Sequence, residues 1–136
     1  MEECCTKFKP LVSVFLRIGL GVVFIYHGYG KVFAEGAGMG TSWNPQMSVV
    51  LQVLVSWGEL VGGIAILVGF LTSLASLGII IIMTGAIITV HAKNGFGMGG
   101  GGFEYNFVLI SMCLALIANG SGPYSIGQKC CKSNVS

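Results

Sequence analysis

The fold is decided by residues 47–90, which read MSVVLQVLVSWGELVGGIAILVGFLTSLASLGIIIIMTGAIITV. Glu59 is the single charged side chain in this stretch. The hydrocarbon core of a bilayer is about 30 Å thick, and a helix needs roughly 20 apolar residues to cross it. The stretch is long enough for two such helices, residues 47–70 and 72–90, with almost nothing between them. We therefore predict a tight antiparallel hairpin that turns around residues 69–73.

Two further apolar segments flank this hairpin. Residues 11–29 follow a polar head that ends at Pro10, and residues 103–119 precede the helix-stopping run GSGP at 120–123. Backbone groups inside lipid must be satisfied by a helix or a closed barrel, and the period-two alternation of barrel strands is missing. We therefore predict an all-α integral membrane four-helix bundle that forms a single membrane domain over residues 1–136.

The composition supports the same class. Of the 136 residues, 54% are hydrophobic and only 9% are charged, where about 25% charged residues are usual in soluble proteins. Asp is absent, and the net charge is only +2. So few charges cannot coat a soluble globule, and no basic stripe exists to follow phosphates. A soluble enzyme, a disordered chain and a nucleic-acid-binding protein are excluded, and the expected partner is the lipid bilayer.

The lysines predict the orientation in the membrane. An even number of helices places both termini on one side, where four lysines lie, against two on the other side. The four are Lys7, Lys9, Lys129 and Lys132, and the two are Lys31 and Lys93. Cytoplasmic segments carry the excess of positive charge, so we predict the cytoplasmic (inner) membrane with both termini in the cytoplasm. Arg17 interrupts the first apolar segment, so we expect a retained helix rather than a cleaved signal peptide.

Arg17 and Glu59 are predicted at membrane depth, where an ionisable group is costly and needs a reason. Arg17 shares one helix face with Gly21 and Gly28, which let a neighbouring helix approach closely. Two interpretations of Arg17 stay open: its guanidinium reaches the cytoplasmic headgroups, or it pairs with Glu59. Glu59 must be neutral, paired or in contact with water, and a proton-carrying or ligand-binding role stays open as well.

Other polar side chains gather at the helix ends that face away from the termini. Together with Arg17 and Glu59 they form two candidate sets: a proton-handling, catalytic set of His27, Glu59, His91 and Glu104, and a polar cofactor-binding set of Arg17, Lys31, Tyr105 and Asn106. Such a cluster facing an apolar bundle suits a ligand with a polar head and an apolar tail. The alternative is that these groups only satisfy one another and seal the bundle.

The connection before the fourth helix contains the run GFGMGGGG at residues 95–102. A phosphate-binding loop needs a preceding strand and a following Gly-Lys-Ser/Thr, and this run has neither. A flexible surface loop and a functional lid both stay open.

The cysteines and histidines do not predict a metal site, because neither His-x-x-x-His nor Cys-x-x-Cys-His occurs. Cys113 lies inside the fourth apolar segment and is expected to pack as a small apolar residue. Cys4, Cys5, Cys130 and Cys131 are predicted at the same membrane face. For these two pairs, lipidation, soft-metal binding, thiol exchange and no shared role all stay open.

The order of these motifs resembles that of the DoxX/DoxD family of small membrane proteins. The resemblance rests on RIG at 17–19, HG at 27–28, Lys31, ELxGG at 59–63, the turn at Gly69, His91, GGFEYN at 101–106 and GxGPYSI at 120–126. The chain departs from the family at Gly127, where an acidic residue is frequent, and at Asn106, where a proline is frequent. The resemblance implies a four-helix membrane bundle linked to redox work. Some relatives are subunits of thiosulfate:quinone oxidoreductase, and others join membrane complexes concerned with thiols and oxidative stress.

Three functions remain as hypotheses. The first is a redox-associated membrane subunit that binds a quinone or supports a partner that does. No haem-attachment motif, iron–sulfur spacing or dinucleotide fingerprint occurs, so no cofactor is evident and electrons would come from a redox partner protein. The second is a small-molecule transporter or channel element, which would need a homo-oligomer because four short helices enclose little space. The third is a structural or assembly protein of the membrane.

Overall fold

The computed structural model describes residues 2–127. Over this range the chain is helical and contains no β-strand. Its four α-helices are α1 (Glu2–Phe33), α2 (Val49–Val68), α3 (Thr72–Ala86) and α4 (Glu104–Asn119). The all-α class predicted from the sequence is therefore confirmed.

Three stretches of the described chain are helical, long and apolar enough to cross a membrane: Leu11–Phe33, Val49–Val68 and Thr72–Asn94. The last of them is α3 continued through a π-helical turn at Ile87–His91 and a short 3₁₀ turn. α4 has 16 residues, which at 1.5 Å per residue is about 24 Å of helix. It is apolar but shorter than the other three.

α1 is longer than the helix predicted over residues 11–29. It begins at Glu2, includes Pro10 and ends at Phe33. Tertiary contacts stabilise the additional turn at its end, because Val32 is buried and Lys31 bonds to a side chain of α2. Packing therefore extends the helix beyond the point at which the glycine-containing sequence favours a stop.

Glycines bring α1 and α2 into close antiparallel contact. A Cβ atom at Gly28 would lie 2.5 Å from the backbone nitrogen of Leu60, and one at Gly63 would lie 2.8 Å from that of Ile25. A Cβ at Gly21 would lie 2.7 Å from the Cβ of Leu67. No larger residue fits at these places without movement of the backbone. The close approach predicted for the face of Gly21 and Gly28 is confirmed.

The turn between α2 and α3 is as tight as the sequence predicts. Gly69 follows the last residue of α2 with a φ of 76°, a conformation that glycine adopts without strain. Its amide and that of Phe70 donate to the carbonyls of Ile66 and Ala65, which closes the end of the helix. Only Phe70 and Leu71 lie between Gly69 and the start of α3 at Thr72. We call this side of the bundle the turn end. The opposite side, where α1 ends and α2 begins, is called the cavity end after the cavity described below.

The core combines side chains of all four α-helices of the described chain. Its buried members are Leu20, Phe24, Ile66, Ile79, Met83, Leu109, Cys113 and Leu116. Outside this core many large apolar side chains are exposed, Phe15 by 69% and Ile81 by 65% among them. A soluble monomer rarely exposes contiguous apolar surface of this kind, whereas lipid covers it. Cys113 packs as the sequence predicts.

Candidate functional site

An ion pair between Lys31 and Glu59 lies at the centre of the cavity end. Lys31 Nζ donates to both carboxylate oxygens of Glu59, at 2.7 and 2.6 Å. The Glu59 side chain is 2% exposed and that of Lys31 is 25% exposed. The ammonium also lies 4.8 Å from the ring centroid of Trp43, where the face of the indole favours a cation. The pair brings together the end of α1 and the middle of α2.

The connection between α1 and α2 forms one wall of this end, and Gln52 holds it. Gln52 is buried, its Oε1 accepts from the amide of Asn44 at 3.0 Å, and its Nε2 donates to the carbonyl of Met47 at 2.9 Å. The Trp43 indole donates to the backbone carbonyl of Gln52 at 3.2 Å. Sequence reasoning missed Gln52, although an amide in an otherwise apolar segment was the available signal.

The glycine run forms an ordered loop that closes on itself. The carboxylate of Glu104 accepts from the amide of Met98 at 3.0 Å, and the Glu104 amide donates to the carbonyl of Phe96 at 2.8 Å. A Cβ at Gly102 would collide with the carbonyl oxygens of residues 95–97. Glu104 therefore stabilises the loop. It does not line the cavity that the neighbouring residues enclose, contrary to its predicted place in the cluster, because its carboxylate points back to its own loop.

His91 connects the same loop to the end of α3. Its Nδ1 lies 2.7 Å from the carbonyl oxygen of Gly101. A carbonyl oxygen only accepts, so this nitrogen carries the proton, and in the neutral ring Nε2 is left as an acceptor. The π-helical turn that ends at His91 places it there, a local feature that helical periodicity does not reveal.

These elements enclose a cavity of about 660 Å³. Apolar side chains from all four α-helices form most of its wall, and the polar side chains that line it include His27, Lys31, Glu59, His91, Tyr105 and Asn106. His27 and Tyr105 face each other edge to face, with ring centroids 6.3 Å apart. Asn106 is buried and donates to the sulfur of Met83 at 3.4 Å. Six of the eight side chains selected from the sequence thus surround one space.

Arg17 does not belong to this site, and the pairing with Glu59, one of its two open interpretations, is wrong because Glu59 pairs with Lys31. Its guanidinium lies at the turn end, where its five N–H groups donate to backbone carbonyl oxygens at 2.8–3.4 Å. The acceptors are Ile66 and Leu67 at the end of α2 and Ser121, Pro123 and Tyr124 after α4. Arg17 is only 5% exposed, so the alternative of a side chain extended to the headgroups is wrong as well.

Metal ligands do not come together in the part of the chain that the structure describes. No group of three or more His, Cys, Asp or Glu side chains there could hold a metal ion. Cys130, Cys131 and the lysines at 129 and 132 lie outside the described residues, and so do the side chains of Cys4 and Cys5. The hypotheses about these cysteine pairs and about the orientation in the membrane stay predictions.

Comparisons with known proteins agree with the fold and the motifs. The model of the DoxX family matches residues 12–92, a range that includes Lys31, Glu59 and His91. This chain belongs to the DoxX family. It is 29% identical over 110 residues to the protein of Bacillus subtilis (strain 168) named "Putative oxidoreductase CatD", and the match covers 81% of each chain. No solved structure matches it. Family and apolar helices together make it an integral membrane protein.

Proposed function

We propose that this protein is a redox-associated membrane subunit that binds the ring of a quinone in the cavity. The cavity itself is the observation that carries the proposal, because polar side chains with both donors and acceptors meet there under an otherwise apolar wall. The DoxX family and the name of the relative support a place in oxidoreductase chemistry. A partner protein supplies or removes the electrons.

The polar groups suit both oxidation states of a quinone. A quinone ring presents two carbonyl oxygens, which accept, and a quinol presents two hydroxyls, which also donate. The Lys31 ammonium has three N–H groups, of which the Glu59 oxygens take two, and the Tyr105 hydroxyl can donate as well. The Nε2 atom of His91 can accept from a hydroxyl. Reduction of a quinone takes up two electrons and two protons, and these residues can hold the protons beside the ring.

Two tryptophans give a direct test. Trp43 lines the cavity, whereas Trp57 lies outside it, packs on Phe33 and donates to the carbonyl of Met39. A Trp57→Phe variant therefore keeps one reporter inside the site, and Trp43→Phe keeps one outside it. Both variants are placed in phospholipid vesicles and titrated with a tail-less benzoquinone or naphthoquinone.

We expect quenching of the tryptophan fluorescence to saturate in Trp57→Phe and to stay weak and linear in Trp43→Phe. Adding Lys31→Met to Trp57→Phe should weaken the binding of the ring at least about tenfold, because the cation and its partner both change. Glu35→Gln, which alters an exposed acid of the first connection, should bind as Trp57→Phe does. Equal linear quenching in both tryptophan variants would contradict the proposal.

A further inference from the structure

The cavity opens on the lipid-facing side of the bundle, between α2 and α3. Near the turn end these helices touch, since a Cβ at Gly62 would lie 3.2 Å from Ile79 and one at Gly58 would lie 2.8 Å from Ile82. Further toward the start of α2 both helices line the cavity, through Leu54 and Val55 on α2 and Ile81 and Gly85 on α3. Leu54 lines the cavity and is nevertheless 62% exposed. The same residue therefore belongs to the wall of the cavity and to the outer surface of the bundle.

The α3 side of this gap is equally open. Ile81 lines the cavity and is 65% exposed. Gly85, one turn further along, also lines it, and a Cβ built there would meet no atom within 4 Å. Leu54, Ile81 and Gly85 all lie inside the stretches that are long and apolar enough to cross a membrane. Such a gap faces hydrocarbon rather than water, so an apolar molecule can occupy it.

We propose that the cavity is loaded laterally from the bilayer through the gap bordered by Leu54, Ile81 and Gly85, and that its ligand is a quinone with a long isoprenoid tail. This inference rests on the proposed quinone site and adds the substrate class and the route. The cavity of about 660 Å³ lies in the size range of sites that take a drug-sized ligand, so it has room for the ring of a quinone. The ring lies beside Lys31 and Glu59, and the tail leaves between α2 and α3 and stays in the lipid.

Two glycines of α3 provide a matched pair of variants. Gly85 lines the cavity and Gly78, two turns earlier, does not, but both are exposed and both have open space around a new Cβ. Gly85→Leu fills the gap, and Gly78→Leu adds the same side chain outside it. Gly85→Ala adds only one carbon to the gap and serves as a graded variant. All are made with Trp57→Phe, so that Trp43 reports binding.

Two quantities are measured for each variant in phospholipid vesicles and compared with the parent. The first is the rate of Trp43 quenching after addition of a benzoquinone with a long isoprenoid tail, and the second is the affinity for the same ring without a tail. In Gly85→Leu we expect loading of the tailed quinone to slow at least about tenfold and the affinity for the tail-less ring to change less than about twofold. Gly78→Leu should behave like the parent, and Gly85→Ala should slow the loading of the tailed quinone less than Gly85→Leu does.

The outcomes separate this inference from the proposed function. Unchanged loading of the tailed quinone in Gly85→Leu would overturn the lateral route. An equal loss of binding for the tailed and the tail-less quinone would overturn it too. In either case, saturable binding of the tail-less ring by the parent would still support the site. Failure of the parent to bind either quinone would overturn both. Since phospholipid is in large excess in the vesicles, a cavity that takes acyl chains instead of quinone gives this last result.

Discussion

The two ends of the bundle each hold a cation, and they differ in what surrounds it. At the turn end, the Arg17 guanidinium donates only to backbone carbonyls and is 5% exposed. At the cavity end, Lys31 shares one carboxylate, that of Glu59, and borders about 660 Å³ of open space. A charged side chain can serve a ligand only where donors and space are left over. Arg17 has neither, and Lys31 has both.

The chemistry of the two cations fits this division. A guanidinium presents five N–H groups in a planar fork, and the carbonyls at the end of α2 are the negative end of the helix dipole. Arg17 uses all five and joins that helix end to residues 121–124. An ammonium is a compact charge with three donors. Lys31 can therefore hold Glu59 and still offer a proton donor to a ligand.

The strongest way to test the comparison is to remove Arg17. Arg17→Met should lower the free energy of unfolding by at least about 3 kcal/mol, because five buried or partly buried carbonyls lose a donor at about 1 kcal/mol each. Arg17→Lys should restore only part of this, since three donors at one point cannot reach both groups of carbonyls. The measurement is thermal unfolding in detergent micelles. Ile18→Met, an exposed neighbour on the same helix, should unfold like the wild type.

The quinone affinity of Arg17→Met decides whether the two ends are independent. Where the variant is folded, its affinity for a tail-less quinone should equal that of the wild type within about twofold, since Arg17 does not line the cavity. A variant of full stability, or a stable fold that has lost the ring, would contradict the division between a sealed end and a binding end.

Much of the fold could be predicted because lipid leaves few choices. The long apolar run at 47–90, with Glu59 as its single charge, required a helical hairpin, and the spacing of Gly21 and Gly28 predicted the face along which α1 meets a neighbouring helix. The extent of α1 and the π-helical turn at 87–91 could not be predicted. Both depend on contacts made after the helices pack, and a turn that widens by one residue leaves no mark in the hydrophobic period.

The site was predicted in part for a related reason. Helical periodicity gives the face of a side chain, so Arg17 was placed on the same face as Gly21 and Gly28, toward a neighbouring helix. It does not give the relative height of two antiparallel helices, and that height decides which cation meets Glu59. In the structure Lys31 is level with Glu59, and Arg17 is level with the end of α2. The sequence could name the charged partners of this bundle but could not pair them.

The second test is to break the ion pair from each side. Lys31→Met leaves Glu59, which is 2% exposed, without its partner and should cost about 3 kcal/mol or more of unfolding free energy. Glu59→Gln should cost less, about 1–2 kcal/mol, because Lys31 is 25% exposed and keeps the face of Trp43. The double variant should recover part of the loss of Lys31→Met. Chemical unfolding at neutral pH measures all three.

Additive losses in the double variant would contradict a coupled pair, because coupled residues deviate from additivity and independent ones do not. The larger cost for Lys31→Met than for Glu59→Gln is the sharper expectation. It distinguishes a pair in which the acid is buried and the base is partly exposed from a pair in which both side chains are equally buried. Both single variants should also weaken binding of a tail-less quinone, in contrast to Arg17→Met.

The smallest expected effect concerns Glu104, whose carboxylate lies neither at the turn end with Arg17 nor on the wall of the cavity with Lys31. Its carboxylate accepts from the Met98 amide and does not line the cavity. Glu104→Gln keeps an acceptor for the Met98 amide and alters no wall of the cavity, so quinone affinity should change less than about twofold. Glu104→Ala removes that acceptor, so it should speed hydrogen exchange of the Met98 amide roughly fivefold. His91→Gln, which alters a ring that lines the cavity, should weaken quinone binding more than Glu104→Gln does. If Glu104→Gln abolishes binding while the Met98 amide stays protected, Glu104 handles a proton at the site as the sequence predicts, and the division between charges that shape the loop and charges that face the ligand is wrong.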